Sequence, residues 1–241
     1  MKQQPFPPSP INDALFKACA KGTFEEIRAL LDQGADPALP HWEEAWCDGT
    51  PEDYFCIHEA AMNPDIRILD LLVEHGADPN MSNFYDQQPL AYAGRFNTFE
   101  MVKHLVELGN DPSRYDLDGG SVLSWSAVNP DIRVLEFLLD NGAEIGGCAD
   151  GQTELDEALR SGTPDRIRFL VAHGAALDFI SGESIKSASL ENVRALLECG
   201  YDPNCREDEW DNHGPLLVDV LDSKRRALFM EFLAKPRQPI S

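Results

Sequence analysis

The chain of 241 residues is poor in positive charge and has no long hydrophobic run. Lysine and arginine number 20 against 42 aspartates and glutamates, which gives a formal net charge of −22. Nucleic-acid binding is disfavoured, because neutralising phosphates requires clustered cations. No apolar stretch is long enough to cross a bilayer, and the first residues, MKQQPFPPSPIN, lack the apolar core of a secretory signal. We therefore predict a cytoplasmic protein that contacts neither nucleic acid nor membrane and prefers a basic partner.

The sequence also lacks the motifs of catalysis and metal binding. His58-Glu59-Ala60-Ala61 begins like the zinc-protease motif His-Glu-x-x-His, but Met62 stands where the second histidine belongs. A thioether is a poor zinc ligand. The six cysteines show no disulfide-framework or zinc-module spacing, and there is no glycine-rich phosphate loop. The sequence predicts a protein that is not an enzyme and has no cofactor or metal.

One spacing recurs five times, a leucine-like residue followed nineteen positions later by glycine: Leu15 to Gly34, Ile57 to Gly76, Leu90 to Gly109, Leu123 to Gly142, and Leu155 to Gly174. A small residue follows each leucine-like residue by three, and aliphatic residues precede each glycine by seven and four. Apolar positions three apart share one helix face, and glycine readily ends a helix. This spacing predicts repeated pairs of helices, separated by turns such as Asp78-Pro79.

These motifs resemble the ankyrin repeat. Its signature Thr-Pro-Leu-His-x-Ala-Ala is matched by Cys56-Ile57-His58-Glu59-Ala60-Ala61, and its ending Gly-Ala-Asp by Gly76-Ala77-Asp78. The resemblance implies an all-α solenoid of stacked helix-turn-helix units with short β-turn or hairpin loops. It also implies that His58 is the structural histidine of its repeat.

We predict a Pro-rich arm at residues 1–11 and a single solenoid at 12–241. The predicted repeats, six to seven in number, are about 12–38, 54–80, 87–113, 120–145, 152–178, 179–204 and 214–236, with inserted acidic loops at 39–53 and 205–213. The sixth unit is short, because Gly174 and Gly200 are only 26 residues apart. Ser181 stands where its leucine is expected, which argues against its first helix.

Two stretches hold most of the negative charge, and both contain tryptophan. Residues 41–89 have eleven carboxylates and one cation, and residues 198–222 have eight and one. Aromatic rings among carboxylates on loops are typical of binding hot spots for a cationic partner. The predicted partner-binding residues are Trp42, Glu43, Glu44, Trp46, Asp48, Glu52, Asp53, Tyr85, Asp86, Glu207, Asp208, Glu209, Trp210 and Asp211. The alternative is that these loops cover neighbouring repeats and the acidity serves solubility. Trp125, in a first helix, is predicted to pack in the core.

The favoured function is a non-enzymatic protein–protein interaction module that binds and neutralises or scaffolds a basic protein, as a monomer or in a heteromeric complex. The Asp-Pro-Asn turns are similar to those of stand-alone bacterial ankyrin-repeat proteins, some of which are immunity proteins for toxins, and this analogy suggests such a role. The alternatives are a nucleic-acid-mimicking inhibitor of a nuclease or DNA-binding protein, a regulatory adaptor in a signalling complex, and a metal-dependent enzyme.

Overall fold

The computed structural model describes residues 9–44, 51–146, 148–149, 152–178, 180–202, 219 and 221–234. These residues are mostly helical, and the only strands among them form two short two-stranded hairpins. The chain divides into two compact units, Met1–Ala143 and Glu144–Ser241. None of the helices in the described ranges has the length and apolar character needed to cross a membrane.

The described residues of the first unit form four consecutive helix pairs and one hairpin. Its elements are α1 (Pro10–Cys19), α2 (Phe24–Asp32), β1 (His41–Glu44), β2 (Pro51–Tyr54), α3 (Cys56–Ala60), α4 (Ile66–Glu74), α5 (Pro89–Phe96), α6 (Phe99–Glu107), α7 (Val122–Ser126) and α8 (Ile132–Asp140). The second unit contains β3 (Cys148–Ala149), β4 (Gln152–Thr153), α9 (Glu154–Ser161), α10 (Pro164–Ala172), α11 (Gly182–Ser187), α12 (Leu190–Glu198) and α13 (Ser223–Leu233).

Helices stack side by side within each unit. In the first unit, α1 packs against α3, α3 against α5 and α5 against α7, while α2 packs against α4 and α6 against α8. In the second unit, α9 packs against α11, α10 against α12 and α12 against α13. The sequence prediction of stacked helix-turn-helix units is confirmed within each unit.

The core consists of the apolar positions that recur in the sequence. The leucine-like residues that begin the repeats are at most 1% exposed: Leu15, Ile57, Leu90, Leu123 and Leu155. The aliphatic pairs before the glycines are also buried, except in α2, where Ile27 is buried and Leu30 is half-buried. The glycines that follow the second helices have φ between 94° and 101°, the left-handed conformation that side chains disfavour.

Buried asparagines connect neighbouring helix pairs in the first unit. The Asn97 side-chain amide donates hydrogen bonds to the carbonyls of Ala61 and Asn63, both at 2.7 Å. The Asn129 amide reaches the carbonyls of Gly94 and Asn97 in the same way, at 2.7 and 2.9 Å. These asparagines therefore satisfy carbonyls of the preceding helix pair, and the Asn97 carbonyl in turn accepts a hydrogen bond from Asn129.

The expectation that the sixth predicted repeat (179–204) lacks its first helix is wrong. Helix α11 is present, although it has only six residues. The Ser181 hydroxyl caps it by accepting a hydrogen bond from the Ser184 amide at 3.1 Å, and Ile185 supplies the buried aliphatic side chain. A serine at the N-cap position starts a helix effectively. The shortening therefore falls mainly on the connection after Gly174, because α11 is no shorter than α3 and α7, which have five residues each.

Candidate interaction surface

The first inserted loop contains an antiparallel pair of strands, here called the acidic hairpin (residues 41–44 and 51–54). Trp42 lies opposite Asp53 and Glu43 opposite Glu52 in the register of β1 and β2. The start of β1 is attached to α1, because the His41 ring stacks on Phe16 with 4.1 Å between ring centroids. The fold thus brings the main chains of five predicted partner-binding residues together: Trp42, Glu43, Glu44, Glu52 and Asp53.

The remaining predicted site residues fall into two groups. Tyr85 and Asp86 lie in the loop between α4 and α5. The others lie outside the described residues: Trp46, Asp48, Glu207, Asp208, Glu209, Trp210 and Asp211.

Main-chain hydrogen bonds join the acidic hairpin to the two loops that follow it. The Phe84 amide donates to the Asp53 carbonyl at 3.3 Å, and the Leu117 amide donates to the Tyr85 carbonyl at 2.9 Å. Three successive loop tips therefore form one continuous edge of the first unit. The predicted contacts at Asp53, Tyr85 and Asp86 belong to this edge.

Asp86 is paired within the chain. It occupies a left-handed conformation with φ of 62°, which places its carboxylate against the Arg114 guanidinium of the next loop. The hydrogen bonds from Arg114 hold the pKa of the Asp86 carboxyl below its usual range. Asp86 therefore clamps two loop tips together, and its negative charge is partly neutralised by Arg114.

Large apolar side chains, exposed or half-buried, lie on these tips and on α5 and α7. We call Phe84, Tyr85, Phe96, Tyr115, Leu117 and Trp125 the aromatic surface. Phe96 is 59% exposed and Leu117 is 68% exposed. A shallow groove with about 280 Å³ of empty space lies between α5 and α7, lined by Gln87, Ala91, Tyr92, Arg95, Phe96 and Trp125. Clustered apolar exposure of this kind is characteristic of interaction sites.

Trp125 is a component of this surface, so the expectation that it packs in the core is wrong. Its side chain is only half-buried, and its indole Nε1–H donates a hydrogen bond to Asp116 Oδ2 at 2.9 Å. Asp116 in turn accepts hydrogen bonds from the Gly120 amide at 2.7 Å and from Gln87 Nε2 at 3.0 Å. The Arg95 guanidinium lies over the indole, 5.1 Å from its centroid.

The sequence contains a signal that would have placed Trp125 at the surface. Trp125 lies two residues after Leu123, and three of the four other repeats with this spacing have a charged residue at that place, namely Lys17, Glu59 and Glu157, whereas the fourth has Tyr92. Charged residues at equivalent positions indicate a solvent-facing site. The repeat spacing also indicates that Leu117 and Phe84 lie at the surface. Each stands six residues before the leucine that begins its repeat, which places it on a loop tip.

His58 is structural, as the resemblance implied. It is fully buried, and its Nε2–H donates to the Gln87 carbonyl of the next loop at 3.0 Å. Burial lowers the pKa of His58 to about 4, so the ring is neutral at physiological pH. Among the described residues, no cluster of three or more histidine, cysteine or acidic side chains is suited to a metal ion.

Repeated helix pairs with glycine-ended second helices, joined by hairpin loops, define a helical repeat protein. Family models described as ankyrin repeats match residues 90–181 (three copies) and 57–122 (many copies). Together they span residues 57–181, more than half of the chain. The chain belongs to the ankyrin-repeat family, whose members are in general protein–protein interaction modules.

Curated relatives match parts of the chain. Palmitoyltransferase ZDHHC13 of Mus musculus is 34% identical over 101 residues, covering 41% of this chain and 16% of the relative. Ankyrin repeat protein nuc-2 of Neurospora crassa is 26% identical over 245 residues, covering 80% and 22%. Probable E3 ubiquitin-protein ligase XBOS32 of Oryza sativa subsp. japonica is 30% identical over 128 residues, covering 53% and 24%. The chain thus spans a quarter or less of the length of these three relatives.

Proposed function

We propose that the chain binds a basic protein partner through the acidic hairpin and the adjoining aromatic surface, and thereby neutralises or scaffolds that partner. The observation that carries this proposal is the register of the hairpin, which sets Glu43 opposite Glu52. Strands β1 and β2 contain four carboxylates and neither lysine nor arginine. Like charges at opposed positions destabilise a strand pair, and a cationic partner would relieve that repulsion.

The aromatic surface supplies the apolar contact area that the carboxylates lack. Carboxylates steer a basic partner toward the site and set its orientation, whereas most binding energy comes from buried aromatic and arginine side chains. The continuous edge of loop tips places Tyr85 and Leu117 in the same row as the acidic hairpin. One partner therefore has access to both the negative charge and the apolar surface.

The nucleic-acid-mimic alternative is disfavoured by the pairing of acidic side chains. A mimic needs a row of unneutralised carboxylates at phosphate-like spacing. Several aspartates instead bind arginines: Asp65 with Arg67, Asp86 with Arg114, Asp131 with Arg133, and Asp222 with Arg225.

Three further features belong to the proposal. The chain acts in the cytoplasm, works as a monomer or in a heteromeric complex, and catalyses no reaction. An immunity role against a basic toxin is one form of neutralisation compatible with a net charge of −22. A regulatory adaptor would use the same surface.

The test is a comparison of two variants of equal charge against a basic protein captured from the native host and then purified. Glu43→Gln/Glu44→Gln removes two carboxylates from the acidic hairpin. Glu100→Gln/Glu136→Gln removes two exposed carboxylates from second helices. We expect the hairpin variant to weaken binding about tenfold, equivalent to about 1.4 kcal/mol, mainly through slower association.

The matched control decides the outcome. Equal effects of the two double variants would show that only net charge matters, and the hairpin would then not be the site. An association rate that does not change with salt would also contradict the proposal, because electrostatic steering is screened by ions. Adding Trp42→Ala and Trp46→Ala to the hairpin variant should weaken binding by several kcal/mol in total, about 2–4 kcal/mol for each hot-spot residue.

A further inference from the structure

The aromatic surface already holds a cation. The Arg95 guanidinium lies 5.1 Å from the Trp125 ring centroid and 5.5 Å from the Phe96 ring centroid. Both rings line the groove between α5 and α7. A guanidinium within about 6 Å of an aromatic ring is attracted by its π-electrons, so these two rings make a site of suitable chemistry for a guanidinium.

The Trp125 ring is held in a fixed orientation. Its Nε1–H donates to Asp116, and Asp116 is itself held by the Gly120 amide and Gln87. A side chain at position 120 would prevent this contact, because a Cβ there would lie 2.8 Å from Asp116 Oδ2 and 2.9 Å from Trp125 Nε1. A fixed ring with a carboxylate at its edge is preorganised for a cation, which lowers the entropy lost on binding.

The charge of the chain indicates the source of the ligand. The net charge is −22, and the acidic hairpin adjoins the aromatic surface through the Phe84 amide and the Asp53 carbonyl. A partner attracted to this region is basic, and its side chains arrive beside Trp125. Arginine suits the site better than lysine, because its planar guanidinium stacks on aromatic faces and is less strongly hydrated.

We propose that Trp125 and Phe96 form a receptor for an arginine side chain of the partner, and that Arg95 occupies this receptor in the free protein. The inference rests on the proposed function for the positive charge of the partner. The arriving arginine replaces Arg95 over the Trp125 ring, because both need the same ring face. An arginine of the partner therefore binds only if its contact with the two rings is more favourable than the contact that Arg95 makes.

The test uses N-acetyl-arginine amide as the probe and the indole N–H resonance of Trp125 in ¹⁵N–¹H spectra as the readout. We expect saturable shifts of this resonance in the unmodified protein. Arg95→Ala should bind the probe about threefold more tightly, because the competing cation–π contact is gone. Arg133→Ala is the matched control, since it removes the same charge and a guanidinium 4.9 Å from the Phe99 ring centroid. It should leave the affinity unchanged.

Other outcomes overturn the inference. Equal tightening in Arg95→Ala and Arg133→Ala would assign the effect to net charge. Loss of probe binding in Arg95→Ala would show that Arg95 helps to form the site. N-acetyl-lysine amide binding as tightly as the arginine probe would contradict an arginine receptor. The Glu43→Gln/Glu44→Gln variant separates the two proposals, because it tests the hairpin against the purified partner and should leave the Trp125 titration unchanged.

Discussion

Replacing Asn97 with alanine tests how neighbouring repeats are held together. The Asn97 side chain is 8% exposed, and its amide bonds the carbonyls of Ala61 and Asn63 at 2.7 Å each. Its Oδ1 accepts a hydrogen bond from the Thr98 amide, also at 2.7 Å. Asn97→Ala removes all three contacts and leaves two buried carbonyls without this donor.

The expected magnitude follows from those two carbonyls. A buried polar group that loses its partner costs about 1–3 kcal/mol. Two such groups, eased by water entering the space that the shorter side chain leaves, should lower the free energy of unfolding by about 2–4 kcal/mol. This is a large fraction of the 5–15 kcal/mol or so that stabilises a typical domain.

The assay combines urea unfolding followed by circular dichroism with hydrogen exchange of the amides in α3 and α5. Exchange is needed because repeat proteins unfold in parts, and the variant should open first between these two helices. Asn141→Ala is the control, because Asn141 is exposed and its amide bonds only the Phe137 carbonyl of its own helix end. We expect the control to stay within about 0.5 kcal/mol of the unmodified protein. Similar losses in both variants would refute a bridging role for Asn97.

Two further predictions concern His58 and Gly94. The pKa of His58 is lowered from 6.5 to about 4, so the unfolded state binds more protons between these values and stability falls as pH falls through this window. Unfolding at about pH 5 should require about 1.5 kcal/mol less than at pH 6.5, and His58→Gln should remove this dependence; an unchanged pH profile in that variant would exclude His58 as the cause. A Cβ on Gly94 would lie 2.1 Å from Ser126 Oγ, so Gly94→Ala should cost about 1–3 kcal/mol in thermal unfolding despite the higher helix propensity of alanine. Adding Ser126→Ala should recover most of that loss, and an undiminished loss would place the strain elsewhere.

The repeat architecture could be predicted from the sequence because it depends on local periodicity. The spacing between residues such as Leu90 and Gly109 reports both the buried face of the helices and the left-handed residue that ends the second helix. Each unit repeats the same physical solution, so a pattern that is ambiguous once becomes clear when it recurs.

The features that could not be predicted depend on contacts between neighbouring repeats or on a residue that departs from the pattern within one repeat. An asparagine at a helix end is compatible with the break alone, and nothing local shows that the Asn97 amide reaches carbonyls more than thirty residues away. The repeat spacing sets Ser181 at a leucine position, although it occupies the capping position of α11. The surface position of Trp125 has a signal in the charged residues at equivalent positions of other repeats, but nothing local shows its hydrogen bond to Asp116 in the preceding loop.

The loop tips of the first unit are joined through main-chain atoms, from the Phe84 amide to the Asp53 carbonyl and from the Leu117 amide to the Tyr85 carbonyl. No side chain takes part in these bonds, so their geometry survives substitution of the residues that carry them. Mutation at tip positions other than Asp86 and Arg114, whose side chains also join two tips, can therefore alter what is recognised without altering the distance from one tip to the next. Substitutions at these positions can therefore change the binding preference while the packing of the helices beneath them stays the same.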